Sequence, residues 1–156
     1  MQNIFEAQYE QVRQSREVLF QYCNTISQKD FIRESSSFGR GSIRNLLVHT
    51  GNTYEFWIGK QALQRDGEFM PYASVTTISE LYTYYDRIDE LVHEFLHRFA
   101  SHLTGEIPVH IDDTTRNIAP LQLFTHVITH EFHHKGQVLS LSRHLGYTPV
   151  DTDIIR

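Results

Sequence analysis

The sequence has little cysteine, no long hydrophobic run and no concentration of positive charge. A single cysteine, Cys23, excludes an intramolecular disulfide framework and an all-cysteine zinc site, and it fits a small core residue in a reducing compartment. The segment from Met1 to Glu10 lacks the basic and apolar regions of a signal peptide, and no run approaches the roughly 18 apolar residues of a membrane span. We therefore expect a cytoplasmic protein that neither crosses a membrane nor is exported.

Positive charge is scarce as well as scattered. The chain has 14 lysines and arginines against 19 acidic residues, which gives a formal net charge of −5 and an isoelectric point near 6.0. Binding to a phosphate backbone requires a local basic patch, and the sequence contains none. The tyrosines between positions 82 and 85 lie among acidic residues that would repel phosphate, so the sequence predicts no nucleic-acid partner.

With 156 residues, 40% of them hydrophobic, the chain is expected to form one globular domain over residues 1–156. Apolar residues recur at three- and four-residue spacing in four segments, which predicts an all-α fold and favours a four-helix bundle. The predicted helices run from about Ile4 to Asn24, from the N-cap Ser42 to about Arg65, from Thr77 or Ser79 to about Ser101, and from Pro120 to Gly146. Between residues 106 and 119 the pattern is weak. Val109 and Ile111 fit a short extended piece, but we expect a loop that crosses the bundle.

Histidine is the residue type that the chain has in excess, with ten in 156 residues. The last predicted helix carries four of them: His126, His130, His133 and His134. Positions 126, 130 and 134 follow one another at four-residue steps and therefore lie along one face of the helix, where His130 and His134 border the apolar arc. Imidazoles one turn apart can direct nitrogen atoms at one divalent ion about 2.0 to 2.1 Å away, which makes this pair a candidate metal-binding unit.

The same residues spell His-Glu-x-x-His, the pattern of zinc proteases in which the glutamate is the general base. The longer form of that motif would need glycine and histidine where the chain has Gln137 and Ser140, and no glutamate follows His134. Glu131 lies near the centre of the apolar arc, so a buried contact with another helix is as consistent with the pattern as a base over an open site. A third protein ligand must come from upstream.

The upstream candidate is His49 in the second predicted helix. It lies beside the inward face of that helix and can face the last helix. Together with His130 and His134 it would form a three-histidine site with an open position for water or substrate, as in catalytic rather than structural zinc sites. The alternative for each of these histidines is a structural imidazole hydrogen-bonded inside the protein.

Several further residues are candidates for the surroundings of such a site. Tyr54 and Trp57 follow His49 by one and two turns and are expected to line a pocket or to belong to the core. Gln137 lies one turn from His134 and is a candidate for binding substrate, supporting a ligand or packing between helices. Glu131 and His126 are the candidate proton-transfer residues, and His126 is also a candidate fourth ligand or surface histidine.

Two segments resemble the DinB family: Leu46-Leu47-Val48-His49 and His130-Glu131-Phe132-His133-His134-Lys135-Gly136-Gln137, followed by Gly146. The usual family pattern is Leu-Leu-x-His in helix two and His-x-x-x-His-[Arg/Lys]-Gly-Gln in the last helix, and the likeness covers essentially the whole chain. The resemblance implies an up-down-down-up four-helix bundle, often dimeric, that binds nickel or zinc through His49, His130 and His134. Lys135 replaces the more frequent arginine, which keeps the charge but loses bidentate hydrogen bonding.

The resemblance leaves two functions open, because most members have no assigned reaction and some relatives transfer low-molecular-weight thiols to electrophiles. The first is a metal-dependent transferase or hydrolase of small molecules, in which the ion lowers the pKa of a thiol or water. The second is a non-catalytic metal-binding or stress-response protein, in which the ion ties two helices together. A structural site would be closed by a fourth protein ligand, for which His126 is the first candidate.

Overall fold

The computed structural model describes residues 3–156 and shows a mostly helical protein with a small two-stranded antiparallel sheet. The helices are α1 (Ile4–Cys23), α2 (Gln28–Phe31), α3 (Ile43–Tyr54), α4 (Ile78–Arg98) and α5 (Pro120–His144). A π-helix (Glu55–Ala62) continues α3, a 3₁₀ turn (Tyr72–Ser74) precedes α4, and the strands are β1 (Ile107–Ile111) and β2 (Thr114–Ile118). In the described part of the chain, no helix is long and apolar enough to cross a membrane.

Local capping explains where the long helices begin and end. The Ser42 side chain accepts a hydrogen bond from a backbone N–H in the first turn of α3, as its predicted N-cap role requires. At the start of α4, the Glu80 carboxylate accepts from the Thr77 backbone N–H at 2.9 Å. Pro120 opens α5, where its missing N–H removes no helical bond, and Gly146 adopts a positive φ of 96° just beyond the helix.

The core lies between α1, α3, α4 and α5 and takes side chains from each of them. Because each helix carries its apolar residues on one stripe, packing the stripes together removes them from water. Cys23 belongs to this core with 1% of its surface exposed, in agreement with its predicted role. The largest fully buried side chains are Tyr9, Leu19, Phe31, Ile43, Leu46, Tyr54, Ile58, Leu81, Ile88, Phe95, Leu96 and Phe124.

The second predicted helix is not a uniform α-helix. From Glu55 onward it winds as a π-helix, and the Leu63 backbone N–H donates to the Ile58 carbonyl five residues back, at 2.9 Å. The chain then leaves the helix at Gln64, whose φ is 56°. The short helix α2, between α1 and α3, was also not predicted, because one turn is too short to show a periodicity.

The expected loop between residues 106 and 119 is wrong, since β1 and β2 form a hairpin. Its register pairs Ile107 with Ile118 and Ile111 with Thr114. Asp112 and Asp113 make the turn with φ values of 42° and 54°, and two positive φ angles suit the twist of a tight hairpin. The all-α prediction is therefore corrected to a mostly helical fold with one small sheet.

A side chain of the π-helix holds the hairpin by two hydrogen bonds to the backbone of β1, as a neighbouring strand would. The Gln61 amide nitrogen donates to the His110 carbonyl at 2.8 Å, and its oxygen accepts from the His110 backbone N–H at 2.7 Å. Nearby, α3 and α5 pack against each other along their length. These two arrangements bring the hairpin, the π-helix and both histidine-bearing helices to one region of the molecule.

Candidate metal centre

His49 on α3 and His130 and His134 on α5 converge to form what we call the histidine cluster. Each offers one ligand nitrogen, and these three atoms all lie within 4.8 Å of one another. The Nε2 atoms of His130 and His134 are 3.0 Å apart, and the His49 ring centroid lies 5.0 and 4.8 Å from theirs. Two nitrogens that each lie about 2.1 Å from one ion are separated by at most about 4.2 Å. The pair on α5 already meets this limit, and the nitrogen that His49 offers exceeds it by at most about 0.6 Å.

A hydrogen bond fixes which nitrogen His134 presents to the cluster. Its Nδ1 lies 2.6 Å from Oε1 of Gln137. An amide oxygen only accepts, so Nδ1 carries the proton and the lone pair remains on Nε2, which points at His130. Orientation of a ligating imidazole by an outer acceptor is usual at metal sites. Gln137, predicted to bind substrate or to support a ligand, thus lies where it orients His134.

His130 has an unsatisfied nitrogen. Its buried Nδ1 atom has no hydrogen-bond partner among the described residues, while its Nε2 faces the lone pair of His134. Leaving a buried polar atom unpaired costs about 1–3 kcal/mol, so the protein alone gains little from this arrangement. A cation bound by both Nε2 atoms would use the lone pairs of both imidazoles, and the set of three neutral imidazoles therefore fits a metal ion.

The environment keeps the cluster uncharged. Burial lowers the pKa of His49 to about 4, with Arg40 and His134 contributing, and lowers the pKa of His130 to about 3, with the neighbouring histidines contributing. Burial also lowers the pKa of His134, although its hydrogen bond with Gln137 opposes that change. Near neutral pH all three imidazoles are in the neutral form that binds metal ions.

One recess is lined by a histidine of the cluster, and a second recess adjoins the first. The first, which we call the His49 recess, measures about 330 Å³ and is lined by His49, Asn52, Thr53, Phe56 and Trp57. The second, which we call the hairpin recess, measures about 210 Å³ and is lined by Trp57, Ile111, Arg116, Ile118, Gln122, Leu123 and His126. Trp57 is a wall of both, so it lies at the predicted pocket. Tyr54 instead lies in the core with 0% of its surface exposed.

His126 lies next to the cluster without joining it. Its ring centroid is 5.8 Å from that of His130 and 5.3 Å from that of Trp57, and the side chain is exposed. Within residues 3–156, the potential ligand group contains only His49, His130 and His134. The described residues therefore offer three potential ligand nitrogens, and His49, which offers one of them, also lines the His49 recess.

Glu131 points into the core and forms a buried ion-pair network with Arg16, Asp89, Tyr9 and Tyr54. Arg16 donates to both Glu131 oxygens at 2.7 and 3.0 Å and to Asp89 at 2.7 Å. The Tyr54 hydroxyl donates to Glu131 at 2.5 Å, and the Tyr9 hydroxyl donates to Asp89 at 2.6 Å. This matches the buried-partner interpretation of Glu131 and leaves its carboxylate no free oxygen to act over the cluster.

The sequence reasoning missed Arg16, although a signal for it existed. Arg16 lies between Val12 and Leu19 in the apolar stripe of α1, at the spacing of inward-facing residues. A charged residue at such a position requires a buried partner of opposite charge. Pairing it with Glu131, the acidic residue in the apolar arc of the last helix, would have predicted this contact.

Lys135 also points away from the cluster. Only 3% of its surface is exposed, its Nζ donates to Ser15 Oγ, and it lies 3.7 Å from the centroid of the Phe132 ring. Burial lowers its pKa to about 8. The Ser15 hydroxyl in turn donates to the Thr152 carbonyl, so this lysine helps to hold the C-terminal segment against α1.

The comparison with known proteins agrees with this geometry. No curated protein matches the sequence significantly. The model of the DinB family matches residues 1–156, the full length of the chain. The match includes the segments that carry His49, His130 and His134, which the fold brings together into a cluster that could hold a metal ion. The chain belongs to the DinB family.

Proposed function

We propose that the protein binds a divalent metal ion, nickel or zinc, through His49, His130 and His134 and acts as a metal-dependent enzyme on small molecules. The supporting observation is that three neutral imidazoles from two helices converge beside an open recess. Three protein ligands with an accessible further position are typical of catalytic metal sites. Thiol transfer and hydrolysis are the two reaction types that suit this arrangement.

The chemistry divides between the ion and the surrounding side chains. A bound divalent ion lowers the pKa of a thiol or of water and so supplies a nucleophile at neutral pH. The imidazoles contribute no negative charge, which favours an anionic group such as a thiolate at the open position. Gln137 holds His134 in the required tautomer, and we assign proton transfer to the exposed His126, which lines the hairpin recess and lies next to His130. Glu131 stabilises α5 through Arg16 and is not assigned this role.

The alternative is a non-catalytic protein in which the ion ties α3 to α5, with a role in metal binding or the stress response. Its support is that the cluster bridges the two helices that pack most extensively. A structural site of this kind needs a fourth protein ligand. His126 is the nearest candidate, with its ring 5.8 Å from that of His130.

The metal claim is tested by elemental analysis of untagged protein. Wild type is expected to hold one equivalent of metal, and His49→Ala, His130→Ala and His134→Ala are each expected to lose it. His133→Ala is the matched control, because it removes an exposed imidazole from the same helix and should keep the metal. Full metal content in all three cluster variants would refute the proposal.

Catalysis is separated from the structural alternative by cobalt substitution. If the open position is available, adding a small thiol will change the visible absorption spectrum of the cobalt protein. No change with any small thiol would contradict thiol transfer. A change of the thiol-free spectrum in His126→Ala would identify His126 as a fourth ligand and favour the structural alternative.

The same proposal includes finer properties, some implied by the family resemblance and others by the length, cysteine content and charge of the sequence. These are a single domain over residues 1–156 with its long helices in up-down-down-up order, a homodimer, and a cytoplasmic location suited to the lone cysteine. Its partner is a small molecule such as a low-molecular-weight thiol and not a nucleic acid. Light scattering of the purified protein tests the dimer.

A further inference from the structure

Arg116 lies on the face of the hairpin that packs on the helices, although its side chain is exposed. Arg116 pairs with Val109 in the register, and partners directly opposite each other carry their side chains on the same face. Val109 is fully buried, so this face is the one that packs on the helices. The alternation of the strands would ordinarily place an apolar residue there, as it does at Ile118.

The Arg116 guanidinium has no partner in the described part of the chain. Among residues 3–156 it makes no hydrogen bond and no ion pair, whereas Arg13, Arg16, Arg65 and Arg87 are each bound to carboxylates. The hairpin recess that it borders has apolar walls from Trp57 and Leu123, and none of its lining residues is acidic. In a chain with net charge −5, this recess combines an unpaired cation with an apolar floor.

The hairpin recess shares one wall, Trp57, with the recess that His49 lines. Trp57 separates it from the His49 recess, and the exposed His126 stands between Trp57 and His130, with ring centroids 5.3 and 5.8 Å away. A small molecule that lies along Trp57 therefore has one end near the cluster and the other near Arg116.

We propose that the hairpin recess binds the body of a small organic anion. An aromatic or aliphatic body packs on Trp57 and Leu123, and a carboxylate at its far end pairs with Arg116. An arginine fork matches a carboxylate with two parallel hydrogen bonds. Arg116 is thus the residue that selects anionic substrates. The inference rests on the proposed function only for the reacting end of the molecule, which reaches the cluster from the other side of Trp57.

The chain's sole tryptophan makes the binding measurable without a known reaction. Phenylacetate and its neutral isostere phenylacetamide are titrated into metal-free protein at pH 8, where ordinary imidazoles are uncharged, while Trp57 fluorescence is followed. A probe of this size is expected to bind in the millimolar range. Phenylacetate should give saturable quenching and bind about tenfold more tightly than the amide, because only the anion pairs with Arg116.

Arg116→Gln should weaken phenylacetate binding about tenfold and leave phenylacetamide unaffected. Arg143→Gln is the matched control. It removes another exposed arginine, which lies 20 residues beyond Leu123 on α5 and so about 30 Å away along the helix. Added salt should weaken the phenylacetate complex and have little effect on the amide complex.

Three results would overturn the inference: no quenching by phenylacetate, equal affinity for the two probes, or equal loss in the Arg116 and Arg143 variants. Binding that appears only after metal is added would place the carboxylate at the ion and would also overturn it. Because the titration uses metal-free protein, failure here leaves the elemental analysis untouched. Conversely, failure of the wild-type protein to bind metal would refute the proposed function and leave the anion site standing.

Discussion

Two faces of α5 carry polar residues that lie only one position apart in the sequence. The hydrogen-bond partners of these residues differ between the two faces. On one face, His130 and His134 turn toward α3, and one of their buried nitrogens has no partner among the described residues. On the other, Glu131 and Lys135 turn into the core, and both are bound to residues of α1. The spacing within each pair is the same four residues.

The difference separates polar residues that hold the fold together from those that are available to a ligand. A buried charge that has its counter-charge and hydrogen bonds in place stabilises the structure and leaves nothing free to react. A cluster of imidazole nitrogens with unused lone pairs adds little to the stability of the fold until a cation binds. We expect substitutions on the Glu131 face to change folding, and those on the histidine face to change ligand binding.

The largest effect is expected for Glu131→Ala. It leaves the Arg16 guanidinium buried without its main partner and should lower the free energy of unfolding by about 3–5 kcal/mol. Urea denaturation of metal-free protein measures this, with Glu90→Ala, an exposed position on α4, as the control. A loss below about 1 kcal/mol would erase the contrast between the two faces. The double variant Arg16→Met with Glu131→Leu should lose less than the single one, because it leaves no unpaired charge.

The next effect concerns stabilisation by metal. At free zinc about 100-fold above its dissociation constant, wild type should gain about 2.7 kcal/mol in free energy of unfolding. His130→Ala should abolish that gain while changing the stability of the metal-free protein by only about 1 kcal/mol. Thermal melts with and without zinc test both parts. A large loss of stability in the metal-free variant would show that the histidine face is structural after all.

A smaller effect is expected when Gln137 is changed. Gln137→Ala frees His134 to adopt the other tautomer and should weaken zinc binding about 10–100-fold. Gln137→Glu keeps an acceptor against Nδ1 and should restore the affinity, which a merely structural role of the side chain would not predict. Competition with a zinc chelator gives the affinities. Equal affinity in wild type and Gln137→Ala would exclude the orienting role.

The smallest effect concerns Cys23, a titratable group that belongs to neither face. Burial raises the pKa of its thiol from 9.0 to about 12, so the unfolded chain loses this proton first as the pH rises. The contribution of Cys23 to stability is therefore complete below pH 9 and falls by about 1.4 kcal/mol per pH unit between pH 9 and 12. Urea midpoints at pH 8 to 10 should fall more steeply for wild type than for Cys23→Ala. Parallel slopes would contradict the assignment.

Much of the helical framework could be predicted because its signals are local. Ser42, Pro120 and Gly146 mark helix ends through their own backbone chemistry, and the apolar stripes need only neighbouring residues. The hairpin was not predicted because β2 is mostly exposed and its sequence shows no alternation of apolar and polar residues. β2 is held by its pairing with β1, and β1 in turn is hydrogen-bonded to Gln61. Non-local pairing of this kind leaves little trace in a single sequence.

The distinction between local and non-local signals also applies to the candidate metal centre. The four-residue step between His130 and His134 indicated a shared direction, and the position of His49 beside the inward face of its helix made it the upstream candidate, which the resemblance then supported. Tyr54 is buried on the inward face of α3 and bonds to Glu131 of α5. The position of Arg116 depends on the hairpin and that of Trp57 on the π-helix, and the periodicity of an α-helix contains neither.

The winding of residues 55–62 decides which side chains share the groove. A π-helix advances through a smaller angle per residue than an α-helix because its hydrogen bonds span five residues instead of four. This slower rotation carries Trp57 round to the side of His49, so that it forms a wall of both recesses. The rotation of the helix at Trp57, more than the identity of any one residue, makes the two recesses neighbours. Removing one residue ahead of Trp57 in this stretch would turn Trp57 away and separate them, while His49 on α3 and the two histidines on α5 kept their places.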